Sequence, residues 1–156
     1  MKCMEEHIRE LLSSARGILL DSSALLVLHS DEYRKLLPLI LGKLKAYTTM
    51  LAVMEVLTFI YYSQRAGVQD NFLDVFSRLY ELIPLTPKLI VKAAQLYADC
   101  LHHNYVPEVV DLMNVSAALE ENLILVSASP PSYKVYERYG VAVISVQDLV
   151  SILDKI

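Results

Sequence analysis

Apolar positions recur along this chain in two rhythms. Short unbroken runs of strand length stand at residues 18–20 and 123–126, bounded by polar residues. Between such runs the apolar residues return at helical spacing. Residues 3–15 read as an amphipathic helix, with Ile8, Leu11 and Leu12 opposite Glu5, Glu6, Arg9 and Glu10, closed by Gly17. The strand 18–20 ends at Asp21, and Ser22 and Ser23 open a helix over 24–29. A helix over 31–41 stops at Gly42, kinked or shortened by Pro38. A strand at 45–48 runs into a long helix over 50–65, closed by Gly67. A helix over 71–82, an extended link at 84–86 and a helix over 87–102 follow. The stretch from Pro107 begins as a helix, with the proline near its first turn, and passes at Asn122 into the strand 123–126. A loop S-A-S-P-P-S, a helix to about residue 139, a strand at 141–144 and a helix from Val146 complete the chain. Strand and helix alternating throughout predict an α/β fold: a three-layer α/β/α sandwich around a central, mainly parallel sheet.

At 156 residues the chain is one domain. Its apolar fraction of 54% exceeds what one buried sheet requires, so an apolar interface, in a homodimer or a larger ring, is expected. No run approaches the ~18 apolar residues of a membrane span. The start M-K-C-M-E-E-H-I-R-E lacks the pattern of a signal peptide, which predicts a cytoplasmic protein. Cys3 and Cys100 have no metal-ligand spacing and read as reduced thiols. A net charge of −4 excludes nucleic-acid binding by bulk positive charge. An enzyme that meets phosphates through a divalent cation and a few lysines remains open.

In parallel sheets, sites form beyond the carboxyl ends of the strands. That rule selects Asp21, Thr48, Thr49 and the loop from Ser127 to Ser129. Glu55 is the one charge in an apolar helix, with Leu51 and Phe59 making its face core-like; a carboxylate there needs a partner, a proton or a cation. Glu108, Asp111 and Asn114 share one helix face, three residues apart each time. Each acid also has a plain structural reading, Asp21 as a helix cap and Asp111 as a complement to the helix dipole. Together they suggest clustered carboxylates that a divalent cation would neutralise. Other chemistries lack their residues: there is no Walker loop, no G-x-G-x-x-G, and Ser23 stands where a haloacid-dehalogenase-type phosphatase has a second aspartate. His102 and His103 read as a polar helix end, and the tyrosines as packing.

The pieces I-L-L-D-S-S-A-L-L, T-T-M-L-A-V-M-E-V-L and D-L-M-N-V-S-A-A-L-E-E-N-L-I-L-V-S-A-S, with the tail P-S-Y-K-V-Y-E-R-Y-G-V-A-V-I-S-V-Q-D-L, follow in an order that resembles the PIN-domain family, which includes the VapC-type toxin ribonucleases of prokaryotes. The resemblance covers about residues 17–150 and divides the chain into an added N-terminal helix, 1–16, and a PIN-like domain, 17–156. It implies that Asp21, Glu55 and Asp111 are catalytic acids binding Mg²⁺ or Mn²⁺, that the activity is hydrolysis of RNA phosphodiester bonds, and that a small antitoxin protein is a partner. The sequence departs from the pattern at one place. The family's Thr or Ser, any residue, then Asp reads here Ser127-Ala128-Ser129, so a hydroxyl replaces the fourth acid. Ser22, Thr48, Glu108, Asn114, Ser127 and Ser129 are the expected supporting groups. The alternative is a catalytically impaired PIN-like module that binds RNA or a protein; a third reading is a structural α/β dimer subunit whose acids only cap helices. For substrate contact the pairs Lys88/Lys92 and Lys134/Arg138 stand beside the plain reading of solvated surface charge.

Overall fold

The computed structural model describes residues 2–63 and 71–153. Strands β1 (Gly17–Leu20), β2 (Ala46–Thr49), β3 (Glu81–Ile83), β4 (Leu123–Ser127) and β5 (Val143–Ser145) form one sheet in the order β3-β2-β1-β4-β5. Each neighbouring pair is parallel. Parallel neighbours require crossovers, made by α2 (Ser22–Leu28), α3 (Leu37–Lys43), α4 (Met50–Ser63), α5 (Phe72–Leu79), α6 (Pro87–His102), α7 (Val109–Glu121) and a 3-10 helix at Pro130–Tyr139, while α1 (Lys2–Ser14) precedes β1 and α8 (Val146–Leu153) follows β5. Alternation along the strands sorts the core into two halves. Ile18, Leu20, Ile124 and Val126 pack with α1 to α5 and α8. Leu19, Leu123 and Leu125 pack with α6, α7 and the 3-10 helix. These are the three layers expected. The N-terminal helix is part of the first half through Ile8.

Several elements differ from the sequence expectation. Residues 31–36 are turns, and α3 starts at Leu37 with Pro38 in its first turn, where the missing N–H leaves no bond unmade; it then runs through Gly42. The helix expected over 71–82 stops at Leu79, because Glu81–Ile83 pair with Tyr47–Thr49 as the edge strand β3, which ends before Pro84. The segment after β4 is a 3-10 helix, and β5 lies two residues further on than expected at its start. Pro107 precedes the cap of α7 instead of lying in its first turn. Arg65 and Gly67, the expected end of α4, lie outside the described residues.

Gly17 opens β1 instead of closing α1. A Cβ there would sit 2.4 Å from the Lys45 carbonyl oxygen, the acceptor for the Ile18 N–H at 2.9 Å. Only a residue without a side chain lets β1 and β2 come this close. The chain builds β1, β2 and β3 outward in one direction, then returns to lay β4 and β5 on the other side of β1. The crevice beyond the carboxyl ends of β1 and β4 is the switch point where such folds bind ligands. Asp21 follows β1 and Ser127 ends β4.

Candidate active site

Three elements bring the three acids to this crevice. Asp21 caps α2: its Oδ1 accepts the Ala24 N–H at 2.8 Å and the Ser23 hydroxyl at 2.6 Å, and it is 5% exposed. The cap expected of it is therefore real, and it coexists with a place in the site. Glu55 projects from α4 and its Oε1 accepts the Ser22 hydroxyl at 3.0 Å. Asp111 stands in the first turn of α7, whose cap is Glu108; the Glu108 Oε2 accepts the Asp111 N–H at 2.8 Å.

The acids feel one another. Burial pushes the Asp111 carboxyl up to about 6, and the charges of Glu108, Asp21 and Glu55 add to it. Glu55 is also raised, first by burial, with Glu108 and Asp21 contributing, while the Ser22 hydrogen bond works against the shift. One expectation about Glu55 is corrected. Its face is not core: Phe59 is 54% exposed, and α4 buries Ala52, Val53 and Val56 instead. Glu55 is half-buried at the rim of the crevice, where water and charge can reach it.

The supporting residues divide. Ser22 bonds Glu55 and Glu108 bonds Asp111, as above. Thr48 is turned away: it donates to the Leu20 carbonyl at 2.8 Å and ties β2 to β1. Its neighbour Thr49 is the polar link, capping α4 by accepting the Ala52 N–H at 3.1 Å and donating to Asn114 Oδ1 at 2.8 Å. Asn114 is buried and its Nδ2 donates to the Tyr133 hydroxyl at 3.4 Å. Tyr133 in turn donates to Asp21 Oδ2 at 3.0 Å. Ser23 gives its one hydrogen to Asp21, so Ser127, 3.2 Å away, donates to Ser23. Ser127 also receives the Ser129 N–H at 3.0 Å. Ser129 itself is exposed, and its carbonyl holds Ser132. Thr49, selected by its place at the carboxyl end of a strand, belongs to this network, while Ser23 and Tyr133 are site groups that the sequence reading did not single out as such. Thr49 also carries a local cap signal, as a hydroxyl three residues before Ala52 at the start of a helix.

Other candidates are engaged elsewhere. Lys88 pairs with Glu120, while Arg138 bonds Asp99 and the Tyr139 hydroxyl. His103 donates to the Asp99 carbonyl at the end of α6, and Cys100 is buried beside Tyr139.

The donor chemistry around the crevice fits a hard divalent cation: the carboxylates of Asp21, Glu55 and Asp111 with the hydroxyls of Ser22, Ser23 and Tyr133 beside them. The acids also carry the mutual repulsion that a cation relieves. Among the described residues no three His, Cys, Asp or Glu side chains are closed around one point.

No family model matches the chain. A VapC ribonuclease of Pyrococcus furiosus is 29% identical over 126 residues, which is 79% of this chain and 81% of that protein. Among solved structures, VapBC2 from Rickettsia felis bound to a promoter DNA fragment is similar at a TM-score of 0.66 and 19% identity, over 82% of this chain and 97% of the matched one. PAE2754 from Pyrobaculum aerophilum is similar at a TM-score of 0.61 and 17% identity, over 90% of each chain. At such identities the structures bear on the fold. The chain is thus similar in sequence to a VapC ribonuclease over most of its length, and shares its fold with VapBC2 and PAE2754.

Proposed function

We propose that this protein is a divalent-cation-dependent endoribonuclease that hydrolyses RNA phosphodiester bonds and acts as the toxin of a toxin–antitoxin pair. The observation that carries the reading is the convergence of Asp21, Glu55 and Asp111 at the switch point of the sheet, with Asp111 raised to about 6 by burial and neighbouring charge. The similarity to a VapC ribonuclease over most of the chain supports the same chemistry.

In this mechanism Asp21, Glu55 and Asp111 would hold Mg²⁺ or Mn²⁺, which when bound supplies charge neutralisation and Lewis acidity at the phosphate. The chain's own groups do the positioning. Asp21 is fixed by the Ala24 N–H, Ser23 and Tyr133, so it presents a defined oxygen. Glu55 is steered by Ser22 from the adjoining helix. Asp111 is half-buried and crowded by the charges of Glu108, Asp21 and Glu55, a repulsion that a bound cation would relieve while holding its carboxyl ionised. No side chain is required as a covalent nucleophile.

A small antitoxin protein is the proposed partner. An apolar groove of about 410 Å³ continues the seam between α2 and α4, walled by Leu25, Leu26, Val56, Ile60 and Phe72. Around it Met54, Phe59, Leu73 and Val75 are exposed, a patch that suits a protein partner. On α6 and around the start of α7, Ile90, Val91, Val106 and Val109 are exposed as well, which supports a homodimer or higher homo-oligomer. Among the described residues no helix is long and apolar enough to cross a membrane, and the proposed place of action is the cytoplasm.

The test is cleavage of a labelled RNA pool with Mg²⁺, Mn²⁺ or EDTA, beside Asp21→Asn and Asp111→Asn. Cation-dependent cutting by the wild type that both variants lose is the expected result. Absence of cutting by folded wild type with either cation overturns it. The second reading, an impaired PIN-like module that binds RNA or protein, is favoured by one observation: Ser129 brings an exposed hydroxyl, not a charge, to the loop after β4.

A further inference from the structure

Two lines of hydrogen bonds converge on Asp21. In the first, Ser127 donates to Ser23, and Ser23 donates to Oδ1. In the second, Thr49 donates to Asn114, Asn114 to Tyr133, and Tyr133 to Oδ2. Every member of the second line is buried, at 1% exposure for Thr49, Asn114 and Tyr133. Its direction follows from the groups themselves. The Thr49 oxygen already receives the Ala52 N–H, so its hydrogen goes forward to the Asn114 carbonyl oxygen. The Asn114 amide then has only hydrogens to offer Tyr133, which leaves the phenol one hydrogen and a carboxylate to receive it. Burial and the two nearby acids hold the Tyr133 hydroxyl protonated.

An ionised carboxylate has about four acceptor positions. Ala24, Ser23 and Tyr133 occupy three of those on Asp21, and the remaining one is on Oδ2. The Tyr133 hydroxyl also lies close enough to Asp111 to feel the charge of that carboxylate, while its single hydrogen goes to Asp21. It therefore stands between the two acids that flank the crevice, delivered by the 3-10 helix that follows the loop lacking a fourth acid.

We propose that Tyr133 is a positioning residue of the acid site, the last link of a one-way hydrogen-bond line that makes Asp21 present a single oxygen of fixed orientation to the cation. The inference rests on the metal-dependent reading above. Asn114 and Thr49 act through Tyr133, joining α4, α7 and the 3-10 helix to Asp21. Groups that hydrogen-bond a ligating carboxylate commonly change metal affinity by about 10- to 100-fold when removed.

The experiment is calorimetric titration of the full chain with MnCl₂, comparing wild type, Tyr133→Phe, Tyr136→Phe and Asp111→Asn. Tyr136 lies on the same 3-10 helix, and its buried hydroxyl makes no hydrogen bond to an acid. Tyr133→Phe should weaken Mn²⁺ binding about 10-fold or more, while Tyr136→Phe leaves it unchanged. Wild-type binding that Asp111→Asn abolishes but Tyr133→Phe leaves intact overturns this inference alone. Wild type that binds no Mn²⁺ overturns the functional reading and this inference with it. A measurement without cation gives an independent check. Asp21→Asn should shift the near-ultraviolet tyrosine band when Tyr133 is present and not in the Tyr133→Phe background. The same shift in both backgrounds means that Tyr133 does not bond Asp21, and the inference fails.

Discussion

Replacing Asp111 by Asn should make the protein more stable while removing its activity. In the folded chain the Asp111 carboxyl is raised from its ordinary 3.8 to about 6, with burial the largest cause and the charges of Glu108, Asp21 and Glu55 behind it. At about 1.36 kcal/mol per pKa unit, the ionised form would destabilise the fold by about 3 kcal/mol. Asp111 is only half-buried, so solvent screening reduces this, and about 1 kcal/mol is the figure to expect at pH 7.5. For a domain of this size that is a rise in Tm of about 2–4 °C. The sign follows from linkage. Between 3.8 and about 6 the folded chain holds a proton that the unfolded chain has lost, so stability falls as pH rises through this window. The advantage of Asp111→Asn should therefore be complete above about pH 7, shrink as pH falls through 6 and vanish near pH 4. Mn²⁺ should narrow it by stabilising the wild type alone. Thermal unfolding at pH 4, 6 and 7.5, with and without MnCl₂, measures all of this. A variant no more stable than wild type at pH 7.5, or a gain that does not change with pH, refutes the reasoning.

The RNA cleavage and Tyr133→Phe experiments above belong with two further tests. Gly17→Ala places a Cβ 2.4 Å from the Lys45 carbonyl oxygen and must push β1 from β2. A loss of about 1–3 kcal/mol is expected in denaturant unfolding, and an unchanged midpoint would show that the strands yield freely. Ser129→Asp returns a carboxylate to the loop whose Ser127 is linked through Ser23 to Asp21. About 1 kcal/mol of added attraction between part-exposed charges should tighten Mn²⁺ binding about five-fold; unchanged binding would place position 129 out of reach of the cation.

What the sequence by itself determined is what depends on neighbours along the chain. The apolar runs at 18–20 and 123–126 are the centres of β1 and β4, since strands buried on both faces need no polar alternation. Alternating strands and helices then leave a parallel sheet as the workable arrangement, with Asp21 and Ser127 at strand ends. The cap at Asp21 and the start of α6 at Pro87 are equally local. Tertiary structure decided the rest. Leu82 reads as the end of a helix until β2 is there to pair it. Glu55 reads as core because Leu51 and Phe59 flank it, yet which face of α4 is buried depends on where α2 packs. Tyr133 and Asp21 are 112 residues apart, and no local pattern marks a hydrogen bond between them. Periodicity records which side of an element is apolar; only the packed sheet and helices decide which polar groups on different elements meet.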